Sequence, residues 1–221
     1  AELFLRGDYE QVTIRSCTLD PGGSLSVLGN QIETLKLVIE ANIETLVIED
    51  SILGQIVSGS NGQVDHLIVK DSILDAGGPS EIAIFLPQGE VKMKRVTVFG
   101  QLDIERLWAT ETLVTGIVDV TDTQNGCFRF SAAPPGSRLP HPYQTYEINN
   151  LMSIFTSNLF GHHGYAQLSQ AAPKELLKGA ENGSEIGAFS NLLNPIKLDS
   201  LRTKIEEYMP FGLIPAFIFE T

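Results

Sequence analysis

Leu46-Val-Ile-Glu-Asp-Ser-Ile-Leu53 recurs 21 residues later as Leu67-Ile-Val-Lys-Asp-Ser-Ile-Leu74. In each copy apolar side chains stand at alternate positions, then Asp-Ser follows, then two more apolar residues. A period of two is the signature of a strand with one buried face. A strand unit that returns at such a spacing stacks on its neighbours to bury that face.

The same frame extends outward from this pair. Val12-Thr-Ile-Arg-Ser-Cys-Thr-Leu19 is an earlier copy, with Ser16 in the place of Asp50 and Asp71. Val91-Lys-Met-Lys-Arg-Val-Thr-Val98 is a later one, and Leu102 to Val114 continues the rhythm. Aligning Ser16, Asp50, Asp71, Arg95 and Glu111 leaves gaps of 34, 21, 24 and 16 residues, an unevenness that insertions in turns explain. Asp20-Pro-Gly-Gly23, Ala41-Asn42, Ser58-Gly-Ser-Asn-Gly62, Asp75-Ala-Gly-Gly-Pro79 and Pro87-Gln-Gly89 read as turns. Arg6-Gly-Asp8 reads as an ordinary turn as well, since a three-letter adhesion motif arises easily by chance. Ser24 to Leu28 reads as a short strand. No crossover helix separates the repeats, which argues against a doubly wound α/β fold. The expectation is an all-β solenoid, a right-handed parallel β-helix, with a β-sandwich as the rival architecture.

The character changes at Ile117, although Val118 to Val120 and Cys127 to Phe130 still read as strands. Only three of the eleven Phe precede Gly100, and Ala132 to Pro142 is rich in proline, which excludes a central strand. Pro173 to Gly179 has Pro at the first turn of a short helix and Gly after it. Asp199 is placed to cap a helix over Leu201 to Tyr208, with Leu201, Ile205 and Tyr208 on one face. Phe211 to Phe219 is an apolar tail. Residues 1–131 are expected to form the strand repeats. Residues 132–221 are expected to form a Pro-rich excursion and a C-terminal cap of short helices and aromatic-rich irregular structure over the end of the β-helix.

Several segments resemble uncharacterised bacterial right-handed β-helix proteins: Ile14 to Gly22, Asp50 to Gly54, Asp71 to Asp75, Gly126 to Ser131 and Pro134 to Arg138. The more specific ones are Gly164-Tyr-Ala-Gln-Leu168, Gly179-Ala-Glu-Asn-Gly-Ser-Glu-Ile-Gly-Ala-Phe189 and Leu201 to Tyr208. The resemblance implies that the chain is the C-terminal part of a longer protein, in a setting similar to phage-tail-like assemblies. It brings no catalytic residues with it.

Formal net charge is -12 over 221 residues, which disfavours duplex nucleic acid and anionic membrane surfaces as partners. The expected partner is a protein or the upstream part of the same chain, with a neutral glycan as a further ligand. No apolar run approaches a membrane span, so no membrane insertion is expected. The start has no signal-peptide pattern, and it lacks an initiating Met. The protein is therefore expected in the cytoplasm or within an exported assembly. Cys17 and Cys127 are expected to be buried free thiols.

The main functional expectation is a non-catalytic structural or binding module. The alternative is a carbohydrate-active enzyme, a polysaccharide lyase or glycoside hydrolase, with an acidic groove. Asp50 and Asp71 would be its carboxylate pair on neighbouring repeats, with Asp103 and Glu105 extending the wall. The competing reading ties both aspartates to backbone at turns. Lys92, Lys94 and Arg95 are available as a lyase base. Trp108, Tyr143, Tyr146 and Tyr165 are candidate sugar-stacking rings. His162-His163 has no Cys or carboxylate at close metal-ligand spacing, and His66 has no nucleophile signature near it, so no metal and no cofactor are expected.

Overall fold

The computed structural model describes residues 1–22, 32–149, 154–210 and 212–213. The expected strand at Ser24 to Leu28, Leu151, and the apolar tail apart from Gly212 and Leu213 lie outside these residues.

The strands are β1 (Glu2–Arg15), β2 (Lys36–Glu49), β3 (Ile52–Leu53), β4 (Gln55–Ser58), β5 (Gln63–Asp75), β6 (Ile82–Phe99) and β7 (Gln101–Thr110). Six short ones follow: β8 (Leu113–Val114), β9 (Val118–Val120), β10 (Gly126–Arg129), β11 (Ala132–Ala133), β12 (Pro142–Tyr143) and β13 (Tyr146–Glu147). All of their pairings are parallel. That rules out the rival sandwich, which is built from antiparallel sheets.

The right-handed β-helix solenoid expected from the repeats is corrected. The pairing closes on itself: β2 pairs β4 through residues 36–39 and β5 through residues 42–49. The next long strand, β6, pairs β4 through residues 84–85 and β5 through residues 90–99. Strands β2, β4, β6 and β5 therefore form a closed four-stranded parallel barrel, to which the other strands are added. The physical reason lies in the turns assigned at Ala41-Asn42 and Pro87-Gln-Gly89. Both are interior to long strands, which bend there and pair with two different neighbours. Arg6-Gly-Asp8 likewise lies within β1 rather than in a turn.

The bend is visible in β2. Leu37, Ile39, Ala41 and Ile43 are buried at alternate positions; Glu44 and Thr45 are both turned away, and burial resumes at Leu46 and Ile48. Aliphatic side chains from β2, β4, β5, β6 and β7 fill the interior as one cluster. Full burial of each such side chain is worth roughly 1.5–3 kcal/mol. Two glycines let turns approach the barrel backbone. A Cβ at Gly54 would lie 1.9 Å from the Leu35 carbonyl oxygen, and one at Gly62 would lie 1.8 Å from that of Ile39.

The C-terminal cap is also corrected. The segment after residue 154 crosses the flank of the strands instead of closing an end. Its Ile154, Leu176 and Ile186 pack with Leu113 and Ala132, and Tyr165 and Ala166 pack with Ile73 and Phe99. Helix α1 (Lys174–Leu177) falls where Pro173 predicts it and buries Leu176. A 3-10 turn spans Ser190–Leu192. Helix α2 (Asn194–Tyr208) starts well before Asp199, which sits inside it and pairs with Lys178 at 2.6 Å. Its Leu201 and Tyr208 are exposed, so it covers no strand end with that face. The Pro-rich stretch stays within the sheet: β11 lies between β8 and β13, while Pro142 is on β12, which among the described residues pairs β10 alone. The expectation of two buried thiols fails too, because Cys17 is exposed and Cys127 half-buried.

Candidate functional site

The five positions aligned from sequence share one backbone conformation, and the structure adds Phe130 and Gln144 to them. Ser16, Asp50, Asp71, Arg95, Glu111, Phe130 and Gln144 have φ values of 51, 48, 47, 55, 54, 47 and 47°. Each follows a residue held in register with the next strand, so the seven form a single corner running up the sheet. The left-handed conformation is disfavoured by roughly 1–2 kcal/mol for a residue with a Cβ. Asp tolerates it better than Arg, Glu or Phe.

The residue after the corner supplies the compensation. Ser51 Oγ accepts from the Cys17 N–H at 3.1 Å and donates to the Glu49 carbonyl at 2.6 Å. Ser72 Oγ accepts from the Ser51 N–H at 3.1 Å and donates to the Lys70 carbonyl at 2.6 Å. Ser131 Oγ repeats this with the Thr112 N–H at 3.0 Å and the Arg129 carbonyl at 2.7 Å. The Asp-Ser pair of the repeat is therefore a corner device, in which the serine hydroxyl satisfies backbone groups that the bend frees.

Among the described residues neither aspartate side chain bonds to backbone. Asp71 accepts from Arg95 Nε at 2.5 Å and Nη2 at 2.7 Å, and from Asn191 Nδ2 at 2.6 Å. That bidentate pair, ahead of the opposing effect of burial, raises the Arg95 guanidinium further above its ordinary value. Asp50 is exposed on the neighbouring strand. The register thus brings Asp50 and Asp71 to adjacent corner positions, yet both oxygens of Asp71 are committed to cationic and amide donors. Asp103 pairs with Phe85 and Asp119 on neighbouring strands, and Glu105 accepts from the Gly89 N–H at 2.8 Å; neither faces the Asp50 corner.

The corner is what the C-terminal segment holds. Besides Asn191 on Asp71, the Glu181 N–H donates to Glu111 Oε1 at 3.1 Å and the Gly187 N–H to the Glu111 carbonyl at 3.0 Å. The Ala188 N–H donates to Thr97 Oγ1 at 3.0 Å. Nearby, the Tyr165 hydroxyl donates to Asp75 Oδ2 at 2.7 Å. Burial raises the Asp75 carboxyl, against the Gly77 N–H and the Tyr165 hydroxyl; it also drives the Tyr165 hydroxyl strongly upward, helped by the Asp75 charge.

Two clefts lie beside this segment. One, of about 520 Å³, is lined by His163, Gln167, Glu185, Asn194 and Lys197. Burial raises its Glu185, which accepts from Asn194 Nδ2 at 3.1 Å. The other, of about 310 Å³, lies over Asp75, Phe99, Phe155 and Phe160. Each of these clefts is lined by one carboxylate, not by a facing pair. At the opposite corner Asp8, Glu10, Glu44 and Asp65 line a groove of about 430 Å³, and all four are exposed. Acid and base roles need carboxylates in contrasting surroundings, and four solvated ones have none.

The four rings singled out from sequence are scattered. Tyr165 is buried, Tyr146 packs beside Ile148 and Ile154, and Tyr143 is 57% exposed, edge-on to Phe130. Trp108 is 43% exposed on the outer face of β7. Its Nε1 donates to Glu90 Oε2 at 3.1 Å, and Glu90 also meets Lys92 at 2.5 Å and His66 Nδ1 at 3.6 Å. Burial opposes ionisation of Glu90, but Lys92, Trp108 and His66 together lower it. His162 and His163 stack at 4.8 Å. Sequence reasoning named Trp108, Lys92 and Lys94 separately; their common face follows only from the strand register. The sequence gives no match to protein-family models or curated proteins, and the structure gives none to solved structures.

Proposed function

We propose that this chain is a non-catalytic structural and binding module that receives an extended strand of a protein partner on the free edge of β1. The observation that carries this reading is the contrast between β1 and the strand beside it. Leu3 is 41% exposed and its register partner Leu37 is 1% exposed, although both face the interior side. Leu5, Val12 and Ile14 pack on the core but are only partly buried. Among the described residues β1 pairs with β2 alone, so its second row of N–H and C=O groups faces a position that a further strand can take.

The existing ladder describes the occupant. Arg6 pairs with Glu40 at 2.7 Å, Asp8 accepts from Asn42 at 2.8 Å, and Arg15 pairs with Glu49. A matching parallel strand carries acidic residues beside Arg6 and Arg15 and aliphatic ones over Leu3, Leu5, Val12 and Ile14. The resemblance of Gly164–Leu168 and Gly179–Phe189 to uncharacterised bacterial proteins supports a partner within a multi-protein assembly. Overall charge of -12 opposes duplex nucleic acid at this edge.

A photo-crosslinking residue at Phe4, introduced in cells that hold the native assembly, tests the proposal. The expected product is one discrete adduct, mapped by mass spectrometry to an extended segment with that alternation, and lost in Leu5→Asp. Adducts between two copies of this chain alone, no adduct, or cleavage of glycans by the purified protein would each overturn it.

A further inference from the structure

The outer face of β5, β6, β7 and β10 differs in charge from the rest of the molecule. Parallel register sets its residues in columns. One column runs Glu49, Lys70, Lys94, Thr110 and Arg129, with Tyr143 at its end. The next runs Ile68, Lys92, Trp108 and Cys127, and a third runs His66, Glu90 and Arg106. Including the β1 residues in register, these columns hold six of the fifteen Lys and Arg, namely Arg15, Lys70, Lys92, Lys94, Arg106 and Arg129. They hold only Glu49 and Glu90 of the 27 Asp and Glu. A chain with a formal charge of -12 thus presents one face that is net positive.

The arrangement has a repeat and a fixed platform. Neighbouring strands lie about 4.8 Å apart, so in the first column Lys70 and Lys94 stand one strand apart and Lys94 and Arg129 two, with Thr110 between them, while Lys92 and Arg106 lie to one side along β6 and β7. Lys94 is exposed and has no partner among the described residues. The tie from Trp108 Nε1 to Glu90 fixes the indole, which stays half-exposed between Lys92 and Cys127 in its column. A uronate polymer has one carboxylate per sugar ring at a spacing of the same order, and apolar ring faces that stack on an aromatic platform. A neutral glycan would leave the cations unused.

We infer that this face binds an acidic glycan, laid across β5, β6, β7 and β10, with a sugar ring on Trp108 and carboxylates at Lys92, Lys94 and Arg129. The site is separate from the β1 edge and stands whether or not a strand docks there.

The test is affinity electrophoresis and titration calorimetry of the full chain with polygalacturonate, dextran and single-stranded DNA, at low and high salt. Polygalacturonate is expected to bind, more weakly as salt screens the cations. Trp108→Ala and the double variant Lys94→Glu with Arg129→Glu are each expected to weaken it about tenfold or more. Lys204→Glu, on α2, is expected to have no effect, and dextran is expected not to bind. All variants should melt like the parent. Absence of polygalacturonate binding, equal binding of single-stranded DNA, or indifference to Trp108→Ala overturns the inference. Cleavage of the bound polymer would sink the non-catalytic reading above and leave this one standing.

Discussion

The strand-built part of the molecule and the segment that follows residue 154 are both apolar, yet they are held in different ways. In the strands each buried side chain repeats the one below it, as Leu46, Leu67, Val91 and Leu107 do in register. Loss of one position is felt by the whole column. The later segment, whose described residues hold two α-helices, one of them four residues long, is attached by side-chain bonds at Asp71, Asp75, Thr97 and Glu111, by one backbone bond to Glu111, and by two small apolar clusters, one on Leu113 and Ala132 and one around Phe99. Repetition makes the first region cooperative, whereas the second has a few discrete fastenings that can open one at a time.

The largest effect expected on this contrast comes from Leu67→Ala. The side chain is fully buried inside the barrel, and its loss should cost about 3 kcal/mol. Urea titrations followed by circular dichroism and by protease sensitivity of the C-terminal segment should shift together. If the segment kept its parent midpoint, its packing would not depend on the strands beneath it.

Asp71→Ala comes next. Arg95 is only 17% exposed in its side chain and would lose its bidentate partner, while Asn191 would lose its acceptor, for about 2 kcal/mol in total. Hydrogen exchange should rise both at the corner and around the 3-10 turn. An unchanged exchange rate at Asn191 would show that this bond does not fasten the segment.

Tyr165→Phe removes one hydrogen bond to Asp75 and should cost about 1 kcal/mol. Its signature is selective: faster proteolysis near residues 155–168, with no change in exchange protection within β5 or β6. Protection lost in those strands would erase the distinction between the regions.

The smallest effect is on pH dependence. Burial raises the Asp75 carboxyl, so the folded protein holds that proton more tightly than the unfolded chain. Stability from this group is fully present below the unfolded value and is lost as pH rises through the folded one. Asp75→Asn should therefore flatten the fall in Tm from the ordinary carboxylate range upward. A slope identical to the parent would show that Asp75 is not the responsible group.

Much of the strand architecture was legible in particular letters. Alternation in Leu46 to Leu53 and Leu67 to Leu74 marked the buried faces, and the aligned slot from Ser16 to Glu111 is the corner the backbone adopts. The serine after the slot gave no hint of its hydroxyl ladder, because its acceptors and donors come from strands far away in sequence. Ala41-Asn42 and Pro87-Gln-Gly89 read as ends of strands, since composition reports a bend without saying whether pairing continues through it. The candidate carboxylates showed the same limit. Equivalent sequence positions were right for Asp50 and Asp71, but Arg95 and Asn191 decide what Asp71 can do.

Local period in the letters was enough to mark the inward faces of the strands around Leu46 and Leu67 and the equivalence of Ser16, Asp50, Asp71, Arg95 and Glu111, because both recur within single segments. Only the tertiary structure decided that the long strands bend and close a four-stranded ring, that the C-terminal segment lies along a flank, and that cations from four strands share a face in an acidic protein. Those outcomes depend on cross-strand register, which is a property of pairs of segments and is not contained in either one alone.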